Sequence, residues 1–492
     1  MRMKMLLAAM LVLAGCASGP DYSAPAAPAH SGGPLLGATS AAVSTARPEN
    51  DWWRLYNDPV LDKLVTDALA ANTDIRVAVA RLERARASLD AARADRLPRT
   101  SISAGGGYER MPEMNTLPGQ DRDTWVADGG LSVSYELDLF GRVKRSIEAA
   151  NGDAAAAASD ADAVRVVVVA DTTRAYVNAA AAAEKLSVAR HSLDLLDQSL
   201  RVTSRRYDAG RAAKLDVLRI AALRDRQASR IPDIAAERQA ALFRLAMLTG
   251  RTPRELPAIA ASRQMPPILE RPIPVGDGTA LLERRPDIRA AERRLAADTA
   301  RIGVATADLY PRITLGGSIG QTSPGLDDLF GGGPLRFMLG PLIDWSFPNQ
   351  SAARARIAAS HADADASLAQ FDGTVLKALQ ETETALSSYA GILDWRRSLQ
   401  AAREQADAAV RIVRARQREG QVDFLDVLDA ERTAAEAESE VAAADGRVAD
   451  AQIDLFRALG GGWQPEAEIR SAASVTETGT HAPWDKPETN HD

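Results

Sequence analysis

Cysteine is almost missing from this sequence, because Cys16 is the only one among 492 residues. A single thiol excludes an internal disulfide framework and any zinc site built from several cysteines. Histidine is nearly as scarce, and no two histidines lie at metal-ligand spacing. The five histidines are His30, His191, His361, His481 and His491. We therefore predict no metal cofactor.

Aromatic residues are also few, at 5% of the chain, although hydrophobic residues make up 46%. This combination favours long alanine-rich helices over the aromatic core of a globular enzyme. The net charge of −7 is mild, and arginines alternate with acidic residues instead of forming a basic block, so nucleic-acid binding is not expected. The sequence shows no Ser/His/Asp order and no phosphate-binding glycine loop. It predicts that the protein is not an enzyme.

Three pairs of neighbouring residues invite a catalytic or binding interpretation. The pairs are Glu381/Glu383, Asp363/Asp365 and Trp52/Trp53. Both carboxylate pairs lie on alanine-rich helical stretches, where a solvated helix face is the ordinary explanation. A ligand stacked on the two tryptophans is one interpretation. Packing of the N-terminal segment against the body of the protein is the simpler one.

The N-terminus has the pattern of a secretion signal, with a basic start and an apolar run too short to span a bilayer. The run Leu-Ala-Gly before Cys16 resembles the bacterial lipobox. That resemblance implies removal of residues 1–15 and acylation of Cys16. Ala17 and Ser18 follow the cysteine, which in lipoproteins implies sorting to the outer membrane. The alternative is an ordinary signal peptide with a chance thiol.

The chain repeats itself at an interval of about two hundred residues, which indicates a tandem duplication. Sliding residues 74–107 onto 287–320 without gaps gives 13 identities in 34 positions. Gly210 and the Leu-Asp-Val-Leu run that follows it recur at Gly420.

The duplication divides the chain into predicted segments. They are a signal peptide (1–15), a lipidated, extended N-terminal leader (16–55), a first repeat (56–260), a linker (261–286), a second repeat (287–463) and a tail (464–492). Each repeat is predicted to contain a helix, a strand pair and a long helical hairpin. The first helices are placed at about 59–95 and 287–308, the strand pairs at 99–139 and 311–347, and the hairpins at 141–250 and 350–460.

Period-2 alternation marks the strands. In residues 131–139 the odd positions are apolar and the even ones polar, which is typical of a strand between an apolar and a polar environment. Transmembrane β-strands show this pattern, and so do half-buried soluble strands. We place four strands at 99–109, 125–139, 311–321 and 335–347, with the loops 109–123 and 322–334 outside the membrane. Two hairpins are too few to close a barrel, so several copies would have to share one.

The longest elements are predicted to be coiled-coil helices. Proline is absent from residues 140–231 and 349–464, in a chain with 25 prolines. Apolar residues within 186–200 are spaced alternately by three and four, as in a heptad repeat. At 1.5 Å per residue, the stretch 350–418 would reach roughly 100 Å.

Four motifs carry a resemblance to a known family. They are Tyr135-Glu-Leu-Asp-Leu-Phe-Gly-Arg142, Leu309-Tyr-Pro-Arg-Ile313, the stretch from Gly420 to Arg432, and Ala458-Leu-Gly-Gly-Gly-Trp463. Together they resemble the outer membrane factor family of the TolC/OprM type, in its NodT-like lipoprotein branch, over essentially the whole mature chain.

The resemblance implies both fold and function. The expected fold is an α+β membrane protein: a homotrimer in which four strands per protomer form a twelve-stranded transmembrane β-barrel, continued by an α-helical coiled-coil barrel with a mixed equatorial domain. The expected function is a passive exit duct in the outer membrane for drugs or other small molecules. An inner-membrane pump would deliver them through a periplasmic adaptor, or membrane fusion protein. No cofactor is expected beyond the lipid on Cys16.

The resemblance also points to a gate at the periplasmic mouth. In the family, the positions that match Leu425 and Asp429 narrow this mouth, and an arginine matching Arg432 lies beside them. Asp426 flanks them, so three copies would stack an apolar ring on an acidic one. The first repeat offers weaker gate candidates at its tip, namely Leu215, Asp216 and Arg219. Gln417 replaces the tyrosine that the family has there, so a tyrosine-linked lock has no support at this position.

Two alternatives remain open at the level of sequence. The first alternative to a gate is that Leu425 is ordinary coiled-coil core and that the charged residues form a solvated helix face. The rival function is a periplasmic coiled-coil lipoprotein that braces the envelope, which would have no period-2 strands. The transported compound and the partner pump are not named by the sequence, since a wide water-filled duct makes few contacts with its cargo.

Overall fold

The computed structural model describes residues 18–112, 114, 122–323, 335–422 and 424–462. The predicted features outside these residues are the signal peptide at 1–15, Cys16, most of the loops 109–123 and 322–334, Trp463 and the tail at 464–492. Within the described ranges, no helix combines the length and the apolar character needed to cross a bilayer.

Long helices and four long strands dominate the described residues. The helices are α1 (Pro59–Ala71), α2 (Thr73–Ala94), α3 (Arg142–Asp208), α4 (Lys214–Leu248), α5 (Gly278–Arg284), α6 (Pro286–Ala307), α7 (Ser351–Arg418) and α8 (Phe424–Ala458). The strands are β1 (Val43–Ser44), β2 (Arg99–Arg110), β3 (Asp123–Leu137), β4 (Ile273–Pro274), β5 (Arg312–Ser323) and β6 (Leu335–Asp344). The long strands begin and end within three residues of the predicted ranges, and the largest difference is at the end of β6.

The contacts divide the chain into two compact units, each of which combines segments from both sequence repeats. The sheet unit comprises Met1–Pro28, Ala78–Asp160 and Asp287–Leu376. The hairpin unit comprises Ala29–Val77, Ala161–Pro286 and Lys377–Asp492.

The sheet unit contains one four-stranded antiparallel sheet in the order β2-β3-β5-β6. Neighbouring strands pair without a bulge, for example from Arg99 opposite Ser134 to Arg110 opposite Asp123. The strands follow one another in chain order, as expected for two hairpins placed side by side.

The hairpin unit is built around a core that includes the end of the leader. Trp52 is fully buried, and its ring stacks on that of Phe456 with centroids 4.7 Å apart. Trp53 is also buried and meets Trp52 edge to face at 6.4 Å. The packing interpretation of the tryptophan pair is therefore confirmed.

A fully buried glutamine joins four elements of this core. The Gln452 side-chain oxygen accepts hydrogen bonds from Leu269 N at 3.0 Å and from the Tyr56 hydroxyl at 3.2 Å. Its amide nitrogen donates to Leu269 O at 2.8 Å and to the Tyr389 hydroxyl at 3.1 Å. Because all of these groups are buried, the network satisfies polar atoms that would otherwise be costly to remove from water.

The prediction of one continuous helix from 59 to 95 is wrong, because Asn72 separates α1 from α2 with extended backbone (φ −61°, ψ 134°). The Asn72 side-chain oxygen accepts from Asp74 N at 2.8 Å and Ile75 N at 3.3 Å, which caps α2. Its amide donates to Leu248 O at 3.0 Å, so a partner distant in sequence fixes the break.

The leader and the carboxylates at 381 and 383 have structural roles. Glu383 accepts hydrogen bonds from the backbone N–H groups of Leu36 at 2.6 Å and Gly37 at 2.9 Å, which holds the leader. Glu381 pairs with Arg285 at 2.8 Å. The leader is not extended throughout, since Leu36–Thr39 and Trp52–Tyr56 form short 3-10 helices.

Candidate functional site

One face of the four-stranded sheet is apolar and exposed. The register places Ile102, Leu131, Ile319 and Phe337 opposite one another in a row across all four strands. Their exposed fractions are 84%, 41%, 49% and 79%. The next rows on this face are Thr100/Val133/Gly317/Leu339, Tyr135/Leu315/Pro341 and Leu137/Ile313/Ile343. An apolar patch of this extent marks a surface that contacts lipid or another protein.

Aromatic side chains lie at both ends of this face. Tyr108 and Trp125 pair at one end, with ring centroids 5.8 Å apart. Trp345 and Phe347 stack at 4.7 Å just beyond the end of β6. The β3 strand from Trp125 to Leu137 is about 40 Å long at about 3.4 Å per residue, and a tilt of about 40° leaves a height of about 30 Å. That height matches the hydrocarbon core of a bilayer, where aromatic residues gather at both interfaces.

The opposite face of the sheet carries mostly small, polar and charged residues, with Met338 and Leu342 as apolar exceptions. Its central rows are Ser101/Ser132/Ser318/Met338 and Ser103/Gly130/Gly320/Arg336. Asp128 lies on this face, forms an ion pair with Arg336, and accepts a hydrogen bond from the Thr322 hydroxyl at 3.1 Å. Between the Tyr108/Trp125 pair and Leu137, by contrast, the residues of the apolar face are all uncharged. The sheet is therefore suited to separate lipid from water.

The two edges of the sheet are open in the single chain. Among the described strands, β2 pairs only with β3, and β6 pairs only with β5. The outward backbone N–H and C=O groups of an edge strand cost several kcal/mol each if they enter lipid without a partner. A membrane position for this sheet therefore requires a further strand at each edge.

Both helical hairpins of the hairpin unit turn at a glycine with positive φ, 69° at Gly210 and 73° at Gly420. The same two hydrogen bonds close each turn. They are Gly210 N to Tyr207 O and Arg211 N to Arg206 O, and Gly420 N to Gln417 O and Gln421 N to Arg416 O, all between 2.7 and 3.0 Å. Glycine suits these positions because it adopts the left-handed backbone without a Cβ penalty.

The predicted gate residues lie in the first turns of α8, where the three charged ones are exposed. Leu425 is half-buried, and the Asp429 side chain is 72% exposed. The buried leucine of this segment is Leu428, which packs with Leu196 and Ile220 in a small apolar cluster. Asp429 therefore faces outward from the protomer, where another chain can meet it, and Leu425 is partly exposed.

The charged gate candidates are partly compensated within the protomer. Arg432 Nη2 donates to Asp429 Oδ1 at 3.0 Å, one helical turn away. Asp426 lies in the first turn of α8, where the positive end of the helix dipole favours a carboxylate. The structure thus brings Asp429 and Arg432 into contact, and the Asp426 residue beside them is exposed.

An ion pair that we did not predict lies close to these residues. Arg414 of α7 pairs with Glu431 of α8 at 2.8 Å, and the Ser199 hydroxyl of α3 lies 3.4 Å from the other Glu431 oxygen. The sequence signal for this pair was two opposite charges on either side of the loop between α7 and α8. One lies about one helical turn before the loop and the other about two turns after it. The pattern is weak, because many arginines and acidic residues alternate along both helices.

The first-repeat candidates lie at the corresponding place, in the first turns of α4. Leu215 is 53% exposed, and Arg219 is exposed as well. The Asp216 carboxylate accepts from the Ala213 backbone N–H at 3.4 Å, and so it helps to cap α4.

A tyrosine is present in the first repeat where the second repeat has Gln417. Tyr207 precedes Gly210 by three residues, as Gln417 precedes Gly420. The Lys214 ammonium lies 5.2 Å from the centre of the Tyr207 ring, a cation–π contact across the turn.

Metal binding has no geometric support in the part of the chain that the structure describes. No group of three or more His, Cys, Asp or Glu side chains there is arranged to hold an ion.

A sheet with one lipid-compatible face and two long helical hairpins ending in exposed turns defines an outer-membrane channel protein. The sequence profile of outer membrane efflux proteins matches this chain twice, at residues 64–251 and 279–461. Outer membrane protein OprJ of Pseudomonas aeruginosa is 33% identical over 92% of this chain and 94% of its own length. Among solved structures, the outer-membrane channel OprN superposes with a TM-score of 0.84 at 37% identity, over 92% of this chain and all of OprN. The open state of the MtrE outer membrane channel of Neisseria gonorrhoeae gives a TM-score of 0.78 at 30% identity, over 91% and 98%.

The chain belongs to the outer membrane efflux protein family. It is an outer-membrane channel component of an efflux system. The predicted family, localisation and general function are therefore confirmed.

Proposed function

We propose that three copies of this chain form a passive exit duct through the outer membrane. Each protomer supplies β2, β3, β5 and β6 to one twelve-stranded barrel, and the long hairpins continue it as an α-helical barrel with a mixed equatorial domain. Drugs or other small molecules enter from an inner-membrane pump through a periplasmic adaptor. The duct itself carries out no chemistry.

The observation that carries this proposal is the uncharged, exposed face of the sheet together with its two open edges. A four-stranded sheet cannot close on itself, and open edges are not tolerated in lipid. Pairing β2 of one copy with β6 of the next satisfies both edges and turns every apolar face toward lipid. A periplasmic brace would have no use for such a face, so the sheet argues against the rival function.

The membrane attachment is proposed to include a lipid on Cys16, as the lipobox-like sequence indicates. Each buried methylene of an acyl chain contributes ~0.8 kcal/mol to membrane binding. A trimer would carry three such anchors, in addition to its barrel.

The closed state is proposed to be held at the turns of the hairpins. Leu425, Asp426, Asp429 and Arg432 of three copies would surround the pore axis, with Leu215, Asp216 and Arg219 of the first repeat beside them. The exposure of Asp429 and the partial exposure of Leu425 support this arrangement. The open state described for MtrE supports a change of state in a channel of similar fold.

Cysteine labelling of intact cells tests the membrane position of the sheet. Because Cys16 is the only natural cysteine and its thiol is proposed to be acylated, an introduced cysteine gives a clean signal. A membrane-impermeant maleimide should label Asn115→Cys, in the predicted outer loop, on intact cells. The control, Asp394→Cys on the exposed surface of α7, should react only after lysis.

Labelling of both variants only after lysis would overturn the proposal. The oligomeric state is measured separately, by native mass spectrometry of the purified protein in detergent. A trimer is expected, and a monomer would exclude the shared barrel.

A further inference from the structure

The first described residues of the chain are built into the sheet unit instead of trailing from it. Ser18 N donates to Phe140 O at 3.0 Å, in the short link between β3 and α3. Further along, the Tyr22 hydroxyl donates to Glu292 of α6 at 2.6 Å. The segment from Ser18 to Tyr22 therefore contacts the link between β3 and α3 and the helix α6, two of the parts of the chain that adjoin this end of the sheet.

A buried arginine makes most of the contacts with this segment. The Arg145 side chain, near the start of α3, is 3% exposed. Its guanidinium donates to Ser18 O at 3.1 Å, to Gly19 O at 3.5 Å and to the Asp21 carboxylate at 2.6 Å. Glu148 accepts a further hydrogen bond at 2.8 Å. Most N–H donors of this buried guanidinium are thus directed at the leader. Two of the acceptors there are backbone carbonyls.

Two glycines allow the leader to approach α6 this closely. Gly19 has φ +82°, and a Cβ there would lie 2.5 Å from Gly303 Cα. A Cβ on Gly303 would lie 2.7 Å from Ser18 O and 2.7 Å from the Arg145 side chain. The contact is therefore specific to these residue types, and neither glycine can gain a side chain without displacing the segment.

The position of this contact relative to the apolar face gives it a consequence for the membrane anchor. Phe140, which binds Ser18, follows Leu137 and Leu139 at the base of the sheet, and its ring stacks on Tyr310 with centroids 4.5 Å apart. Cys16 is two residues before Ser18, so its Cα lies at most about 7 Å from that of Ser18. Holding Ser18 here would therefore bring the proposed lipid attachment point near the end of the apolar face.

We propose that Arg145, with Gly19 and Gly303, forms a clamp that holds residues 18–22 at the base of the sheet and so fixes the depth at which the lipidated N-terminus enters the membrane. Only the statement about membrane depth rests on the proposed acylation of Cys16. Arg145 acts as a positioning residue, because it contacts the leader and not the lipid.

Spin labelling tests the clamp in the full-length protein reconstituted in phospholipid vesicles. A nitroxide at Pro20→Cys is exposed and lies between Gly19 and Asp21, two of the three leader residues that Arg145 contacts. It should be immobilised in the otherwise wild-type protein. Arg145→Ala should shorten its rotational correlation time several-fold, and Arg145→Lys should give an intermediate value, since a lysine cannot reach several acceptors at once.

Two further variants separate the clamp from general damage to the fold. Arg165→Ala removes an arginine of the same helix that pairs only locally with Asp162, and it should leave the label immobilised. Asp21→Asn removes one charged contact on an exposed side chain and should loosen the label even if Arg145→Ala does not fold. A label that stays immobilised in Asp21→Asn, and in any Arg145→Ala protein that folds, would overturn the clamp.

Collision with paramagnetic reagents tests the effect on depth. In the otherwise wild-type protein the Pro20→Cys label should be reached by oxygen more than by a polar nickel chelate, as at the membrane interface. In Arg145→Ala the nickel chelate should gain access. Unchanged accessibility would overturn the depth assignment. Mass spectrometry of the N-terminal peptide from the same sample distinguishes a failed clamp from a failed lipidation.

Discussion

Arg414 and Glu431 form a 2.8 Å ion pair across the turn that joins α7 to α8. The Glu431 side chain is only 12% exposed, and Ser199 of α3 contacts its second oxygen. An exposed ion pair contributes about 0–1 kcal/mol, whereas a carboxylate that is mostly buried is costly to leave without its cation. One carboxylate thus ties the start of α8, which carries the gate candidates, to two other helices.

Removing the arginine should loosen this part of the hairpin. Arg414→Ala leaves the Glu431 carboxylate without its cation, so we expect faster amide hydrogen exchange in residues 424–432. Hydrogen exchange with mass spectrometry of the purified channel measures this directly. Arg411→Ala, on the exposed surface of the same helix, is the matched control. Equal exchange in the two variants would show that the ion pair does not hold the turn.

The buried glutamine of the hairpin unit should be sensitive to an apolar replacement of similar size. Gln452→Leu leaves Leu269 N–H and C=O and the hydroxyls of Tyr56 and Tyr389 without this partner. At about 1–3 kcal/mol for each buried group that finds no other, we expect a loss of stability of about 2–5 kcal/mol. The midpoint of thermal unfolding at a fixed scan rate reports the loss. Gln198→Leu, which removes an exposed glutamine bonded to Asp194, should shift the midpoint little.

The stability of the hairpin unit should depend on pH through Glu184 of α3. Burial raises the pKa of this carboxyl to about 7. The facing carboxylates Asp445 and Glu438 contribute in the same direction, and Arg396 and Arg403 oppose them. Since the folded-state pKa lies above the unfolded value, the folded state binds more protons between about pH 4.5 and 7, so stability falls as pH rises through this window.

Glu184→Gln removes this titration. We expect the variant to unfold at a higher temperature than the wild type at pH 8, and at a similar temperature at pH 4. Scanning calorimetry at both pH values compares the two proteins. Glu440→Gln, on the exposed face of α8, provides the control for loss of a negative charge. A difference at pH 8 that the control reproduces would assign the effect to net charge and not to Glu184.

The elements with a regular pattern were predictable, whereas those set by one distant partner were not. Strand β3 was predictable because apolar and polar residues alternate along it, and the turns at Gly210 and Gly420 because glycine ends a long periodic stretch. The break at Asn72 depends on a hydrogen bond to Leu248, which no local pattern reveals. The same holds for Arg145, since an arginine in a charged helix gives no sign that it binds residues more than 120 positions earlier.

The last prediction concerns the gate at the turn of α8. Three copies of Asp429 near one axis would repel each other by roughly 1 kcal/mol per pair at 4 Å in water, and by more in a narrow, drier mouth. Closure therefore needs compensation, and Arg432, at 3.0 Å from Asp429 within each protomer, is placed to supply it. Leu425 would provide the apolar seal. An adaptor that binds the separated state more tightly would open the duct by differential binding alone, without an energy source in this protein.

Single-channel recording in planar bilayers tests this arrangement. Leu425→Ala combined with Asp429→Ala removes the seal and the acidic ring together, so the resting conductance should exceed that of the wild type several-fold. Asp363→Ala combined with Asp365→Ala removes two exposed aspartates of α7 in the sheet unit and should leave the conductance unchanged. The gate does not lie at Leu425 and Asp429 if both double variants conduct like the wild type. If both leak equally, the closed state responds to loss of negative charge anywhere on the helices, and the specific seal is excluded.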